Sequence, residues 1–276
     1  MKLEPTAIKI RFVPLDRMWL HEEDDPYRVK RLILALQHDG RLRNPPIVAE
    51  HGEAYIVLDG ATRTTALREM GYRDVLVQIV DYYADSLQLK AWHHVLAGLP
   101  QNRLLASLAD VEGVTLQPVD AETADRMLAT REIMACVVMP NGQQFAVLVE
   151  GDNNRRATLL CQLVAEYRGK AEVHRTAEVD LPTLSVEYPE LTAVLVFPSY
   201  SPDEIIEIAM HGAKVPMGIT RHVVAGRALG LDVPLEMLTD AQSLDAKNAW
   251  LDDLIHKRLQ GNKIRLYQEP VFVFDE

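Results

Sequence analysis

VLDGATRT, residues 57–64, passes from an apolar run into a polar, helix-compatible one through Asp59 and Gly60. Glycine turns a backbone without a Cβ clash, and the first N–H groups of a helix starting here lack partners inside that helix. Such a strand-to-helix junction cradles anions, and Arg63 can add a two-pronged contact to phosphate. Asp59 would then be placed to hold a divalent cation. The same residues also fit a plain helix start, with Asp59 or Thr62 as the cap and Arg63 in water.

Outward from this turn, residues 46–49 and 54–58 are short apolar runs between turn residues and are expected as strands, with a helix over 61–70 closed by Gly71 and a strand over 75–80. Upstream, residues 8–13 alternate weakly up to Pro14, and residues 27–38 repeat apolar side chains at helical spacing between Pro26 and Gly40. These pieces make a compact α/β unit. Residues 87–96 are read as a helix running into Gly98-Leu99-Pro100, which places a domain boundary there: residues 1–98, then 99–276. Beyond it, strands are expected over 133–139 and 145–149, joined by a Pro140-Asn141-Gly142 turn, and over 193–197. Helices are expected over 154–167, 202–210 with Ser201 as N-cap, 221–229 and 244–259. The fold class is therefore α/β with a mixed sheet. Without long Pro/Gly/Ser linkers, the second part is expected to pack closely on the first and complete a substrate cleft.

Composition narrows the function. The chain has 276 residues, 48% of them apolar, and a formal charge of −11. The first 98 residues hold 13 Lys/Arg and 14 Asp/Glu, so nearly all the excess negative charge lies after them. That balance opposes nonspecific binding to nucleic acid. Two cysteines, Cys136 and Cys161, exclude a disulfide framework or a cysteine-based zinc site. There is neither a secretory apolar region at the start nor an apolar run of spanning length, so the expectation is a cytoplasmic protein with no membrane partner.

Three further segments could carry chemistry. His21-Glu22-Glu23-Asp24-Asp25-Pro26 precedes the first long helix. Its acids could simply favour the positive helix end and face water, but the apolar Leu20 and the titratable His21 interrupt the run, and a carboxylate held there could be a general base. Trp92-His93-His94 sits on the expected helix over 87–96, where adjacent histidines point about 100° apart and cannot easily share one metal. Trp92 is then core flanked by histidines, or one histidine touches substrate. Gly218-Ile219-Thr220-Arg221-His222, opening the expected helix over 221–229, is a second cradle for phosphate or carboxylate, or a capped and solvated start. The P-loop, dinucleotide-binding, nucleophile-elbow and zincin signatures are all missing.

In order and spacing, VPLDRMWLHEEDDPYRVKRLILALQHDG (13–40), LRNPPIV (42–48), VLDGATRTTALREMGY (57–72) and AWHH (91–94) resemble the ParB/sulfiredoxin superfamily over about residues 8–98. Sulfiredoxins carry a reactive cysteine two residues before the turn arginine, and here Ala61 stands there, so that chemistry has no thiol. Chromosome-partitioning ParB proteins carry G-E-R-R-x-R-A at this turn, whereas this chain has Gly60-Ala61-Thr62-Arg63-Thr64-Thr65-Ala66 and keeps only one of the four charged positions. The free L-serine kinase branch has D-G-x-x-R, an H-E near the first helix and a later Trp-His segment, and this chain keeps all three. Residues 197–206, 215–238, 246–251 and the closing 269–276 (EPVFVFDE) are also similar to a bacterial member that makes O-phospho-L-serine for siderophore synthesis. The archaeal D-G-H-H-R departs from this sequence at Ala61 and Thr62, where backbone N–H groups and Thr62 or Thr64 would substitute.

The resemblance implies a transferase that moves phosphate from ATP or ADP to the serine hydroxyl. Nucleotide would be held at Asp59, Gly60, Ala61, Thr62, Arg63 and Thr64, with Mg²⁺ on Asp59 directly or through water. Glu22, or Glu23 as its near rival, would accept the serine proton. Trp92, His93 and His94 would shape the serine pocket, and Thr220, Arg221 and His222 would hold a carboxylate or phosphate. A homodimer is left open. The rival class is a ParB-like regulatory or DNA-binding protein with residues 220–231 in a helix-turn-helix, against which the acidic second part stands; a sensor that binds nucleotide without turnover is another.

Overall fold

The computed structural model describes residues 8–239 and 242–266; the closing EPVFVFDE lies outside them. Along the chain come β1 (Lys9–Pro14), β2 (Met18–Leu20), α1 (Pro26–Asp39), β3 (Arg41–Leu42), β4 (Ile47–His51), β5 (Ala54–Asp59), α2 (Ala61–Glu69) and β6 (Asp74–Val80). There follow β7 (Leu87–Ala91), β8 (His93–Ala97), α3 (Gln101–Ala109), β9 (Val114–Val119), α4 (Ala121–Ala129), β10 (Ala135–Val138), β11 (Gln144–Val149) and α5 (Asn153–Ala165). The last elements are β12 (Glu172–Thr176), α6 (Leu181–Glu187), β13 (Leu191–Val196), α7 (Pro202–Met210), β14 (Thr220–Val224), β15 (Val233–Pro234) and α8 (Leu244–Gln260). No helix among the described residues is long and apolar enough to cross a membrane.

The chain forms two compact units that do not follow sequence order. The first takes the segment ending at Met18, then Asp25–Tyr82, then the chain from Val224 onward; the second takes Trp19–Asp24 and Tyr83–Val223. Gly98-Leu99-Pro100 coincides with none of the four breaks between them.

In the first unit β1, β6, β4 and β5 lie side by side. The β1–β6 and β4–β5 pairs are antiparallel and β4–β6 is parallel, so the sheet is mixed. Phe12, Val48, Ile56, Val57, Val75, Leu76 and Val77 are buried on it, which is why these runs read as apolar. α8 closes the open side of β1. The Asn248 side chain accepts from Phe12 N (2.9 Å) and donates to Phe12 O (3.1 Å), satisfying backbone groups that an edge strand would leave unpaired. Nearby, the fully buried Lys247 ammonium donates to Asp74 (2.7 Å) and to the Leu238 carbonyl (3.4 Å).

The second unit has a six-stranded sheet in the order β12-β8-β13-β10-β11-β9, every neighbouring pair antiparallel. The strands are apolar on both sides because helices cover both. Ala135 and Val137 of β10 join a core with Leu104, Leu108, Leu160 and Ile208 of α3, α5 and α7. Cys136 and Val138 of the same strand join Ala124, Leu128 and Leu184 of α4 and α6. The period-two alternation of a strand thus serves two helical layers.

Two expected helices do not form. Residues 87–96 form β7 and most of β8, because Leu87, Gln88, Leu89, Lys90 and Ala91 alternate between inside and outside and β8 is hydrogen-bonded on both sides. Such neighbours override a helical reading of a short apolar run. Residues 221–229 are not helical either. Thr220–Val224 is β14, which pairs with β7, and residues 225–231 continue as turn and irregular chain, so the helix-turn-helix reading falls. The other expected strands and helices stand within a few residues, and Ser201 caps α7 in a full capping box with Glu204.

Removing the ammonium of Lys247 leaves Asp74 charged and poorly solvated. Lys247→Ala is expected to lower the unfolding free energy by about 3 kcal/mol, read by denaturant titration; an unchanged midpoint would show that the pair contributes nothing.

Candidate functional site

Each acid of the run at 22–25 has its own partner, so the run is not a water-facing charge cluster. Asp25 caps α1, accepting from Tyr27 N (2.8 Å) and Arg28 N (3.4 Å). Asp24 pairs with Lys214 (3.2 Å) and Glu23 with Arg168 (3.8 Å). Glu22 is held differently. Its flanking backbone is clamped by Val215, whose N–H donates to His21 O (2.8 Å) and whose carbonyl accepts from Glu23 N (2.9 Å). Its Oε1 accepts from Thr220 N (3.3 Å) and from the Thr220 hydroxyl. Among the described residues Oε2 has no partner, and the side chain is 16% exposed.

Behind this carboxylate lies His21, 2% exposed, with Nε2 at 2.9 Å from Thr220 Oγ1 and at 3.9 Å from Glu22 Oε1. Its ring meets that of His222 edge-on, centroids 5.3 Å apart. The neighbouring Ile219 carbonyl accepts from Trp92 N (2.9 Å), and the Arg221 guanidinium lies 4.3 Å over the Trp92 ring, a cation–π contact. The structure therefore gathers Glu22, Trp92, Thr220, Arg221 and His222 of the sequence-derived set, with His21 beneath them. Gly218 has a φ of +77°, and a Cβ there would fall 2.0 Å from the Arg175 guanidinium, so Arg175 lies across the residue that leads into β14.

His93 and His94 point to opposite sides of a strand and still cannot share a metal. Phe197 N donates to His93 Nδ1 (3.2 Å), and burial lowers the His93 pKa. His94 is a core residue: its Nδ1 meets the Tyr167 hydroxyl at 2.7 Å, and its ring packs edge-on against Tyr167 and Phe197. Burial, then the nearby positive charges of Arg175 and Arg168, push its pKa down to about 3. The thiols offer no nucleophile, since burial pushes Cys136 up to about 12 and raises Cys161 too.

In the first unit, Gly60 itself is the N-cap of α2, at φ +97°, and no side chain caps the helix. A Cβ on Gly60 would crowd Pro46 and Arg63 at 3.1 Å. Neither Asp59 nor Thr62 caps. Arg63 is not solvated: Nη1 donates to the carbonyls of Asn44 (2.9 Å) and Pro45 (3.1 Å), and Nη2 donates to Asp59 Oδ2 (2.9 Å). Its Nε–H and one Nη2–H remain without a partner among the described residues.

Arg227, within the expected helix over 221–229, donates to the same Asp59 oxygen. Gln78 presents it, donating to Gly226 O (3.0 Å) and accepting from Ala228 N (2.8 Å) on either side. Among the described residues Asp59 Oδ1 has no partner. The buried hydroxyl of Thr64 has no hydrogen-bond partner among the described residues. Those residues hold no group of three or more His, Cys, Asp or Glu side chains able to bind a metal ion.

The mixed α/β fold is shared with solved structures of L-serine kinases. SbnI with C-terminal truncation from Staphylococcus aureus superposes with a TM-score of 0.71 at 23% identity, covering 90% of this chain and 96% of that one. A free serine kinase in complex with AMP gives 0.71 at 21% identity, covering 84% and 94%. In sequence, the chain is 26% identical over 271 residues to the ATP-dependent L-serine kinase SbnI of Staphylococcus aureus, 97% of each. It is 24% identical over 236 residues to the ADP-dependent L-serine kinase SerK of Thermococcus kodakarensis, 82% of this chain and 92% of that protein. No protein-family model matches.

The depressed His94 pKa makes stability depend on pH. The unfolded ring takes a proton below its ordinary 6.5 and the folded ring only near 3, so this contribution is complete above 6.5 and is lost as pH falls from 6.5 toward 3. His94→Gln is expected to flatten the melting temperature over that window; an unchanged slope would exclude His94 as its source.

Proposed function

We propose that the chain is a free L-serine kinase, moving the terminal phosphoryl group of ATP or ADP to the serine hydroxyl to give O-phospho-L-serine. The observation that carries this reading is Glu22, whose Oε1 is fixed by Thr220 while Oε2 is uncommitted. An oriented, solvent-accessible carboxylate oxygen is what a hydroxyl nucleophile requires as its base. Similarity to L-serine kinases along nearly the full length supports the same reading. Glu23, paired with Arg168, is the lesser candidate.

In the reaction, serine gives its hydroxyl proton to Glu22 Oε2 as its oxygen bonds to the terminal phosphorus. The bond from that phosphorus to the rest of the nucleotide breaks, and ADP leaves from ATP, or AMP from ADP. The phosphates are assigned to the turn of Asp59, Gly60, Ala61, Thr62, Arg63 and Thr64, where uncapped backbone N–H groups and the two uncommitted Arg63 donors face anions best. Arg227 adds a second positive charge there. Serine's carboxylate is assigned to Arg221, held by its stacking on Trp92. His222 borders the same cluster, and His94, committed to the core, contributes no substrate contact.

Mg²⁺, when bound with the nucleotide, neutralises charge on the phosphate oxygens. The open Oδ1 of Asp59 fits it: one hard oxygen suffices when phosphates and water complete the shell.

Purified protein given L-serine, Mg²⁺ and either nucleotide is expected to yield phosphoserine by mass spectrometry. Glu22→Gln abolishes the product while nucleotide still binds by calorimetry. Absence of phosphoserine with both ATP and ADP would overturn the assignment.

A further inference from the structure

Thr220, grouped from sequence with the substrate-binding residues, has both of its donors aimed at Glu22. Its N–H and its hydroxyl converge on Oε1. A hydroxyl has one hydrogen, and an ionised carboxylate only accepts, so that hydrogen goes to Glu22. The Thr220 oxygen must then accept at its other contact, and the group at 2.9 Å is His21 Nε2. The network thereby assigns the imidazole hydrogen to Nε2. The result is a one-way chain, His21 Nε2–H to Thr220 Oγ1–H to Glu22 Oε1, and its first two members are buried.

We propose that Thr220 is a positioning residue for the base rather than a contact for serine, and that buried His21 fixes the direction of its hydroxyl. The proposal rests on the serine-kinase reading. With Oε1 saturated by two donors, the carboxylate cannot rotate without breaking both, and Oε2 alone remains to take the serine proton. His21 touches neither substrate nor the accepting oxygen. It acts through Thr220, whose hydroxyl would otherwise be free to turn its hydrogen away from Glu22. The backbone clamp of Val215 on His21 and Glu23 holds the two ends of the chain in register.

The test uses the full chain with Thr220→Val, Thr220→Ser, His21→Leu and His21→Gln, steady-state kinetics, and crystal structures of the wild type and Thr220→Val. Valine keeps the shape and the N–H but removes the hydroxyl, and kcat is expected to fall roughly 10- to 100-fold, the usual loss for one hydrogen bond to an ionised group. KM for L-serine stays unchanged. Thr220→Ser restores the rate; His21→Leu lowers kcat, and His21→Gln, which keeps a donor, restores most of it. In the valine crystal the Glu22 carboxylate is expected to leave the position it holds in the wild type.

A rise in KM with kcat unchanged would make Thr220 a substrate contact and overturn the proposal. So would a Glu22 that keeps its position in the valine variant, a result that can be read whether or not the protein phosphorylates serine. A wild type without kinase activity would instead sink the parent reading. Thermal melts of all four variants separate loss of fold from loss of orientation, since the serine and glutamine variants retain every donor.

Discussion

One hydrogen on one hydroxyl organises the second unit's chemical cluster. Thr220 can give that hydrogen only once, and the carboxylate of Glu22, which cannot donate, takes it. The direction of every neighbouring bond follows, including the one from buried His21. The groups involved are almost 200 residues apart in sequence, so they meet only because β14 and the segment after β2 are both tied down by backbone hydrogen bonds, at Trp92 and at Val215. An unpaired imidazole or hydroxyl at this depth would be costly. Stability and orientation therefore select the same arrangement.

The Asp59 turn follows a different logic. Its ion pairs are partly exposed, and pairs of that kind contribute little to stability. What they do is set places. Two guanidinium groups share one carboxylate oxygen, and each is anchored from behind, Arg63 by the Asn44 and Pro45 carbonyls and Arg227 by the bracing of its loop on Gln78. The result is a concentration of positive charge beside uncapped helix N–H groups. An anion arriving there meets donors that need no rearrangement.

Much of this was legible in the sequence wherever the signal was local. The Asp-Gly turn, the Ser201 cap, the hairpin through Asn141-Gly142 and the apolar strands around residues 46–58 carry their physics within a few residues. The misreadings are equally instructive. Residues 87–96 have helix-compatible composition, and only pairing of β8 on both sides makes them strand. Gly218-Ile219-Thr220 looked like a helix start, but its threonine faces a carboxylate from the other end of the sequence. Gln78 carried no signal and Arg227 only membership of an expected helix, since pairings across 148 and 168 residues leave no spacing to read. His94 was legible only as an ambiguity that burial resolved in favour of the core.

The amide of Asn248 reaching back to Phe12 gives the molecule a timetable. Strand β1 is made long before the side chain that satisfies its outer edge, which follows 236 residues later. In the interval the second unit is made, whose sheet itself pairs β8 with β12 and β13 from much later in the chain. The first unit must wait, with an unsatisfied strand edge open to mispairing. A newly made chain is thus vulnerable at β1 until α8 exists, and a chaperone that shelters this strand would bridge that interval.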